Sequence, residues 1–192
     1  MPAAGLRIIA GALKGRRLAS PDWNGLRPTS DRLRETLFNV LSPRLPGARV
    51  LDGFAGTGAV GLEALSRGAA HVTFAEIDPR AVALVTRNVA HCGVENGYAI
   101  IRIGLGCGQP MPVSVPFDII VLDPPYDTDP RASLIDIVPV LAPDGVVVLE
   151  HARRRDVPAA EGLMRVRQVT AGDSALTFYR RDEATAQRAA TS

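Results

Sequence analysis

A glycine-rich turn between a short apolar segment and a helix constrains the fold of this chain more than any other feature. Residues 49–52 predict a buried strand, Gly53 to Gly58 a tight turn, and Ala59 to Arg67 the following helix. Glycines in such a turn let the backbone approach a ligand closely at a helix N-terminus. The spacing Gly56-x-Gly58-x-x-Gly61 also matches the dinucleotide fingerprint, although a tight strand-to-helix turn alone could require these glycines.

Strands and helices alternate along most of the chain. Apolar segments predict further strands at 72–75, 98–103, 117–122, 145–150, 163–170 and 175–180. Apolar positions at helical spacing predict helices that begin near residues 29–31, 80 and 134. Alternating strands and helices form doubly wound parallel sheets, and two closing strands add an antiparallel edge. We therefore expect an α/β fold with a mostly parallel, seven-stranded, Rossmann-like sheet.

A second motif, Asp123-Pro124-Pro125-Tyr126, follows the apolar strand that ends at Leu122. Open α/β sheets bind ligands beyond the carboxyl ends of their strands. The prolines stiffen an extended turn whose carbonyls are free to accept hydrogen bonds. A carboxylate, a carbonyl and an aromatic ring together suit a planar base with an exocyclic amino group. The alternative for this motif alone is a proline-stiffened loop whose acid caps a neighbouring element.

Acidic residues also follow the second strand, in the segment Glu76-Ile77-Asp78. They lie 24 to 26 residues after Asp52, where an acid can accept hydrogen bonds from both hydroxyls of a ribose. Asp78 precedes Pro79 and is also placed to cap the next helix. Glu76 is therefore the stronger candidate for a ribose ligand.

Charge is unevenly distributed along the chain, although the net charge is only +2. Residues 1–35 hold seven bases and three acids, whereas residues 117–150 hold seven acids and one base. Glycines and bases in residues 6–18 predict a small hairpin outside the main sheet, placed to contact a polyanion. A solvated charged surface is the alternative reading. The candidate RNA-binding residues are Arg7, Lys14, Arg16, Arg17, Arg32 and Arg34.

Several classes of protein are disfavoured by composition. The chain has no apolar run long enough to cross a bilayer and no secretion signal. Cys92 and Cys107 form no zinc-binding or disulfide pattern, and we expect the three histidines to be structural. We therefore expect a cytoplasmic protein that contacts no membrane and holds no metal. Its 192 residues suffice for one main domain.

The motifs after the first, second and fourth strands together resemble the class I S-adenosylmethionine-dependent methyltransferases that modify exocyclic amino groups. Three more stretches resemble the RsmD-type family, which methylates N2 of a guanine in bacterial 16S ribosomal RNA. These stretches are residues 26–39, 61–68 and 172–179. The resemblance extends over roughly residues 6–181.

The resemblance implies S-adenosylmethionine as the cofactor and 16S rRNA, or a small-subunit assembly intermediate, as the partner. We expect the protein to be a monomer. The implied target is the guanine 966 site. The implied cofactor-binding residues are Asp52, Phe54, Ala55, Gly56, Thr57, Gly58, Glu76, Ile77 and Asp123. The implied catalytic residues are Asp123, Pro124 and Tyr126. We expect a basic hairpin and loop at 1–28, the methyltransferase domain at 29–181 and a flexible tail at 182–192.

One segment departs from the family pattern. Family members often carry an acid after the third strand that can bond the adenine amino group, whereas this chain has Gly104-Leu105-Gly106-Cys107-Gly108. Backbone groups must replace that acid, or the adenine contact is weaker.

Three rival functions stay open. A DNA adenine-N6 or cytosine-N4 methyltransferase would share the Asp123–Tyr126 motif, and a non-catalytic RNA-binding module would also use the bases. A nicotinamide oxidoreductase would use the glycine turn but would leave the Asp123–Tyr126 motif without a task.

Overall fold

The computed structural model describes residues 6–23, 31–125 and 128–182. The seven strands are β1 (Arg49–Gly53), β2 (His71–Glu76), β3 (Tyr98–Arg102), β4 (Phe117–Leu122), β5 (Leu141–Ala152), β6 (Leu163–Ala171) and β7 (Ser174–Arg181). The helices are α1 (Asp31–Leu41), α2 (Ala59–Ser66), α3 (Pro79–His91) and α4 (Arg131–Ile137), with 3-10 turns at Ser42–Arg44 and Val138–Val140. Tyr126, residues 29 and 30 at the predicted start of the first helix, and the tail after Asp182 lie outside the described residues.

The strands form one sheet in the order β3-β2-β1-β4-β5-β7-β6. The first five strands along the chain are parallel, and β7 lies antiparallel between β5 and β6. This arrangement confirms the predicted seven-stranded sheet with an antiparallel edge. Gly53 pairs with Ala75 and Leu122, and Leu122 pairs with Leu149. The carboxyl ends of β2, β1, β4 and β5 therefore lie at one level.

The central strands are apolar on both faces because helices cover both. Val50, Val121 and Val148 belong to one buried cluster, which includes residues of α1, α2 and α3. Leu51, Leu122 and Leu149 belong to a second cluster, which includes residues of α4. Adjacent strand residues alternate between these clusters, as the pleat of a strand requires.

Two boundaries near α4 differ from the sequence-based prediction. The helix predicted to begin near residue 134, which its apolar spacing would extend to Leu141, ends at Ile137, and a 3-10 turn that contains Pro139 follows it. Proline has no backbone N–H to continue the helical ladder. Strand β5 begins at Leu141, four residues earlier than predicted, where Leu141 pairs with Phe117.

The predicted N-terminal hairpin is not confirmed. Residues 6–23 contain an isolated antiparallel bridge between Arg7 and Arg17 but no regular strand. Leu6, Ile8 and Leu18 are buried in the core cluster that α1 shares, so this segment packs on the main body. Burial of these apolar residues holds the segment in place, together with backbone hydrogen bonds between its two arms, from the Ile8 N–H to the Arg16 carbonyl at 2.9 Å and from the Leu18 N–H to the Leu6 carbonyl at 2.8 Å.

Polar contacts anchor the same segment to α2. The Glu63 carboxylate accepts the backbone N–H groups of Ile9 and Ala10 at 2.7 and 3.0 Å. The Ser66 hydroxyl accepts the N–H of Leu13 at 2.9 Å. These bonds satisfy backbone donors that lack a strand partner.

Candidate active site at the strand ends

Four carboxyl groups meet at the carboxyl ends of neighbouring strands. In spatial order they belong to Glu76 on β2, Asp52 on β1, Asp123 after β4 and Glu150 on β5. The residue two positions before each belongs to the same buried cluster; these residues are Phe74, Val50, Val121 and Val148. Since side chains alternate along a strand, the four carboxyl groups lie on one face of the sheet. The structure thus brings together Asp52, Glu76 and Asp123 as predicted, and adds Glu150.

The glycine turn has an unusual backbone that is fixed by β2. Phe54, Gly56 and Gly58 have positive φ angles of 71°, 56° and 76°. Phe54 is the one non-glycine residue in this region among those described, and such a conformation costs free energy. The N–H groups of Phe54 and Ala55 both donate to the Ala75 carbonyl at 3.0 Å. The turn is therefore held in a defined shape beside the end of β2.

Gly61 lets α2 pack closely against β2. A Cβ atom at this position would lie 2.2 Å from Cε1 of Phe74 and 2.8 Å from Cγ1 of Val72. Its N–H donates to Oδ2 of Asp52 at 2.8 Å. Close packing therefore explains why the third residue of the fingerprint is glycine. Its N–H, in the first turn of α2, is satisfied by the Asp52 carboxylate.

Asp52 is 3% exposed. Burial is the main cause that raises its pKa to about 7, and the negative charges of Asp123 and Glu76 add to this effect. The hydrogen bond from Gly61 acts in the opposite direction. The carboxyl group of Asp52 therefore changes its ionisation near neutral pH.

Glu76 is held by three backbone N–H groups. Its Oε2 accepts from Gly56 at 2.9 Å, and its Oε1 accepts from Ile77 and Asp78 at 2.8 and 2.9 Å. A carboxylate offers about four acceptor positions, and three of those on Glu76 are already used. The two hydroxyls of a ribose would therefore have to replace or share one of these bonds. Asp78 instead caps α3, which is the second role that the sequence predicted for it. Its side chain accepts the N–H of Arg80 at 2.8 Å.

An apolar surface lies beside Glu76. Ile77 is 56% exposed, and a Cβ atom on Gly104 would lie 2.8 Å from Cδ1 of Ile77. The N–H groups of Gly106 and Gly108 donate to Oδ2 of Asp136 at 2.7 and 3.3 Å. These two backbone donors are therefore already engaged and are poor candidates for an adenine contact.

The start of the Asp123–Tyr126 motif lies next to the glycine turn. The backbone nitrogen of Asp123 is 3.5 Å from the Gly53 carbonyl oxygen, and the Asp123 side chain is half-buried. Pro124 is buried, and the Pro125 carbonyl accepts the N–H of Thr128 at 2.9 Å. The motif thus presents its acid between those of β1 and β5.

Glu150 is the site residue that sequence reasoning missed. It is 6% exposed, and its carboxyl group makes hydrogen bonds with the side chains of Asp123 and Ser174. The pKa of Glu150 is raised to about 8, chiefly by burial and next by the Asp123 charge; the hydrogen bond with Asp123 adds to the rise, whereas the one with Ser174 opposes it. The signal was present, since Glu150 follows an apolar strand as Asp52, Glu76 and Asp123 do.

The predicted RNA-binding residues separate into two groups. Arg7, Lys14, Arg16, Arg17 and Arg32 are exposed, although Nη1 of Arg16 also donates to the Cys92 carbonyl.

Arg34 is completely buried. Its Nη2 donates to Oδ1 of Asp31 at 2.6 Å and to the Arg7 carbonyl at 2.9 Å, and its Nη1 lies 3.9 Å from Oε2 of Glu63. The prediction that Arg34 binds RNA is wrong, because its charge is used inside the protein to hold the N-terminal segment.

A basic run at the end of β5 was also missed. Arg153 and Arg154 are exposed and directly follow β5, the strand that carries Glu150 near its carboxyl end. Arg155 and Arg131 line an adjoining depression of about 460 Å³. Three consecutive arginines after a buried strand were a visible signal for a phosphate-binding surface.

His151 is engaged within the fold. Nε2 of His151 lies 2.8 Å from Oγ1 of Thr177, and burial lowers the His151 pKa. Cys92 and Cys107 are free thiols. Within residues 6–23, 31–125 and 128–182, no cluster of side chains could hold a metal ion, and no helix is long and apolar enough to cross a membrane.

Comparison with known proteins identifies relatives over nearly the whole chain. Residues 6–180 match the family described as Conserved hypothetical protein 95. The chain is 35% identical over 181 residues to ribosomal RNA small subunit methyltransferase D of Escherichia coli K12, covering 92% of this chain and 90% of the relative. The protein of the same name from Haemophilus influenzae is 34% identical over 179 residues, covering 91% and 93%.

Solved structures agree with this relationship. The Escherichia coli protein yhhF superposes with a TM-score of 0.78 at 35% identity, covering 92% of this chain and 97% of that protein. A hypothetical protein from Thermus thermophilus superposes with a TM-score of 0.72 at 31% identity, covering 91% and 98%.

Proposed function

Because the chain belongs to the Conserved hypothetical protein 95 family, the RsmD-type family that its motifs resemble, we propose that it methylates N2 of a guanine in 16S rRNA, using S-adenosylmethionine. The observation that carries this proposal is the position of Asp123 and Pro124 beside the glycine turn. That position would put an acceptor for an amino group next to a cofactor site. The family resemblance implies guanine 966 as the target.

The residues at the strand ends fit S-adenosylmethionine in chemical type. Its sulfonium charge matches the acidic row, and its ribose hydroxyls match the Glu76 carboxylate. Its adenine matches the apolar surface of Ile77 and Gly104. When bound, this cofactor supplies a methyl group that is already activated for transfer by the positive sulfur. The protein therefore has mainly to align donor and acceptor.

Asp123 and Pro124 serve the acceptor nitrogen. The lone pair of an aromatic amino group is delocalised into the ring, which makes the nitrogen a weak nucleophile. Two acceptors, the Asp123 carboxylate and the Pro124 carbonyl, bind its two N–H groups and favour a pyramidal nitrogen. The Asp123 charge offsets the positive charge that develops on the nitrogen and can receive the proton that it then loses. Tyr126 stacks on the target base.

Exposed bases supply the sequence-independent part of RNA binding. Lys14, Arg17 and Arg32 are exposed on the N-terminal part of the chain, and Arg153 and Arg154 lie near the acidic row. Contacts of arginine and lysine with phosphates position a nucleic acid without reading its bases. Recognition of the target guanine then falls to the Asp123–Tyr126 motif.

A substrate comparison tests this function. Purified protein and labelled S-adenosylmethionine are incubated with naked 16S rRNA, small-subunit assembly intermediates, complete small subunits and DNA. We expect one N2-methylguanine in an rRNA-containing substrate, located by mass spectrometry, and the same nucleotide unmodified in cells that lack the protein. Transfer to DNA with every rRNA substrate unmodified would contradict the proposal.

The variant Asp123→Ala is the matched control for catalysis. It removes one preorganised contact of the transition state, so the single-turnover rate should fall about a hundredfold or more. Affinity for S-adenosylmethionine should survive at least in part, because Glu76 and the glycine turn are intact. A parental rate in this variant would make Asp123 a loop acid without catalytic role.

A further inference from the structure

Glu150 is a buried carboxyl group to which the proposed reaction gives no task. It follows Leu149, which pairs with Leu122 of β4 in register. Asp123 follows Leu122, so Glu150 and Asp123 occupy equivalent positions on neighbouring parallel strands. Their side chains are joined by a hydrogen bond, and the Ser174 side chain makes a second hydrogen bond to Glu150.

A hydrogen bond between two carboxyl groups requires a proton on one of them. An ionised carboxylate is an acceptor without a donor, and two ionised carboxylates at this distance repel each other. Burial disfavours the charged form more strongly at Glu150, which is 6% exposed, than at the half-buried Asp123. The proton therefore resides on Glu150, consistent with the rise of its pKa to about 8.

We propose that Glu150 is a positioning residue, which donates a hydrogen bond to Asp123 and fixes the ionised Asp123 carboxylate as the acceptor for the target amino group. The inference rests on the proposed function, in which Asp123 contacts the base. One Asp123 oxygen accepts from Glu150, and the other is oriented toward the nitrogen. A donor aimed at the charged form favours that form, so Asp123 is kept negative where positive charge develops.

The neighbouring groups predict how this arrangement responds to pH. Among the described residues, Asp123 after β4 faces Glu150 directly, Asp52 on β1 lies beyond it, and Ser174 on β7 contributes a side-chain hydrogen bond. When Glu150 loses its proton, the donor to Asp123 is lost and a second negative charge appears beside it. Methyl transfer should therefore decline as the pH rises through about 8.

Single-turnover methylation as a function of pH tests the proposal with two variants. Glu150→Gln retains a side-chain donor that cannot ionise, so its rate near neutral pH should stay within about threefold of the parent and its alkaline decline should disappear. Glu150→Ala removes the donor and should slow transfer about tenfold, with KM for S-adenosylmethionine unchanged. Ionisation of the RNA itself affects parent and variants alike, so the difference between their profiles isolates Glu150.

A second readout does not require methylation. Carbon-13 NMR of labelled carboxyl groups follows Glu150 in the free protein, with Glu150→Gln identifying its signal. We expect Glu150 to titrate near pH 8 and to titrate at lower pH in Asp123→Asn, which lacks the neighbouring negative charge. If the parent methylated no RNA, the proposed function would fail while this titration still tested the carboxyl pair.

Three results would overturn the inference. The first is titration of Glu150 in the ordinary glutamate range in the free parent protein. The second is a Glu150→Ala variant with the parental rate and pH profile. If Glu150→Ala does not fold, Glu150→Gln decides instead. The third result is an alkaline decline in the rate of Glu150→Gln that is unchanged from the parent.

Discussion

At Glu76 a single carboxylate serves both the fold and the proposed cofactor site. It accepts the N–H of Gly56 in the glycine turn and those of Ile77 and Asp78 after β2. A substitution to alanine therefore removes a ligand contact and also releases the turn that shapes the site. Charge and shape can be separated by comparing two substitutions.

We expect Glu76→Ala to weaken S-adenosylmethionine binding by about 1.5 to 3 kcal/mol, because a charged acceptor is lost. Glu76→Gln keeps the shape of the side chain and should lose less. Asp78→Ala is the control, since it removes the cap of α3 without touching the glycine turn. Titration calorimetry measures all three, and parental affinity in both Glu76 variants would refute the ribose assignment.

Gly61 is a residue at which the missing side chain determines packing. A Cβ atom 2.2 Å from the Phe74 ring cannot be accommodated without displacing α2 or β2. Gly61→Ala should therefore reduce the free energy of unfolding by about 1 to 3 kcal/mol, as overpacking in a core typically does. Urea denaturation measures the change. Adding Phe74→Leu removes the ring, so the double variant should recover part of the lost stability. If the changes in the free energy of unfolding of the two single variants simply added in the double variant, Gly61→Ala would not act through the Phe74 ring.

At the scale of elements, apolar runs and helical spacing predicted the sheet and most helices. Parallel strands buried on both faces appear as continuous apolar segments, and Asp78 with Pro79 marked the start of α3. The N-terminal segment escaped prediction because its shape depends on distant partners, such as Glu63 on α2. The buried position of Arg34 was not predicted for the same reason, since a sequence does not show which arginine will donate to acceptors inside the protein.

The register of four strands creates an acidic row that no single element contains. Each acid was visible in the sequence, but their proximity depends on the pairing of β2, β1, β4 and β5. Burial, and after it repulsion from neighbouring carboxylates, raises the pKa of Asp52 to about 7 and that of Glu150 to about 8. The ordinary values are 3.8 and 4.5.

These shifts predict how stability depends on pH. A carboxyl group that binds its proton more tightly in the folded state stabilises the fold fully below its ordinary pKa, and this stabilisation is lost as the pH rises through the folded pKa. Asp52 and Glu150 should therefore reduce the free energy of unfolding between about pH 4 and about pH 8. Asp52→Asn should lose less stability than the parent across this interval in urea denaturation. Parallel profiles for parent and variant would mean that Asp52 keeps its ordinary pKa.

At the scale of the whole molecule, the N-terminal segment runs along the face of the sheet that α1, α2 and α3 cover, from one end of the sheet to the other. Its basic turn, residues 14–17, lies near the C-terminal ends of α2 and α3, where Leu13 contacts Ser66 and Arg16 contacts Cys92. Trp23 reaches the opposite end, where the Arg80 guanidinium lies 5.2 Å from its ring centre. Helix α3 has 13 residues, so about 20 Å separates these ends. The basic turn is thus remote from the acidic row, whereas Arg153 and Arg154 are near it.

This separation predicts two different effects of removing positive charge. Each phosphate contact that is lost should flatten the salt dependence of RNA binding by nearly one unit of logarithmic slope. Changing Lys14, Arg16 and Arg17 to alanine should reduce the slope by up to about three units, or about two if Arg16 stays committed to Cys92. The single-turnover rate at saturating RNA should not change, because these residues are far from the carboxyl groups. Affinity for S-adenosylmethionine should also be unaffected.

The pair Arg153→Ala and Arg154→Ala is the matched comparison. These residues lie at the carboxyl end of β5, so their loss should flatten the slope by up to about two units and also slow transfer at saturating RNA, since the target base is then less well held near Asp123. RNA binding from low to moderate salt, with single-turnover rates for both variants, distinguishes the two surfaces. An unchanged slope in the first variant would make its basic turn a solvated surface, and unchanged slope and rate in the second would remove the β5 arginines from the RNA path.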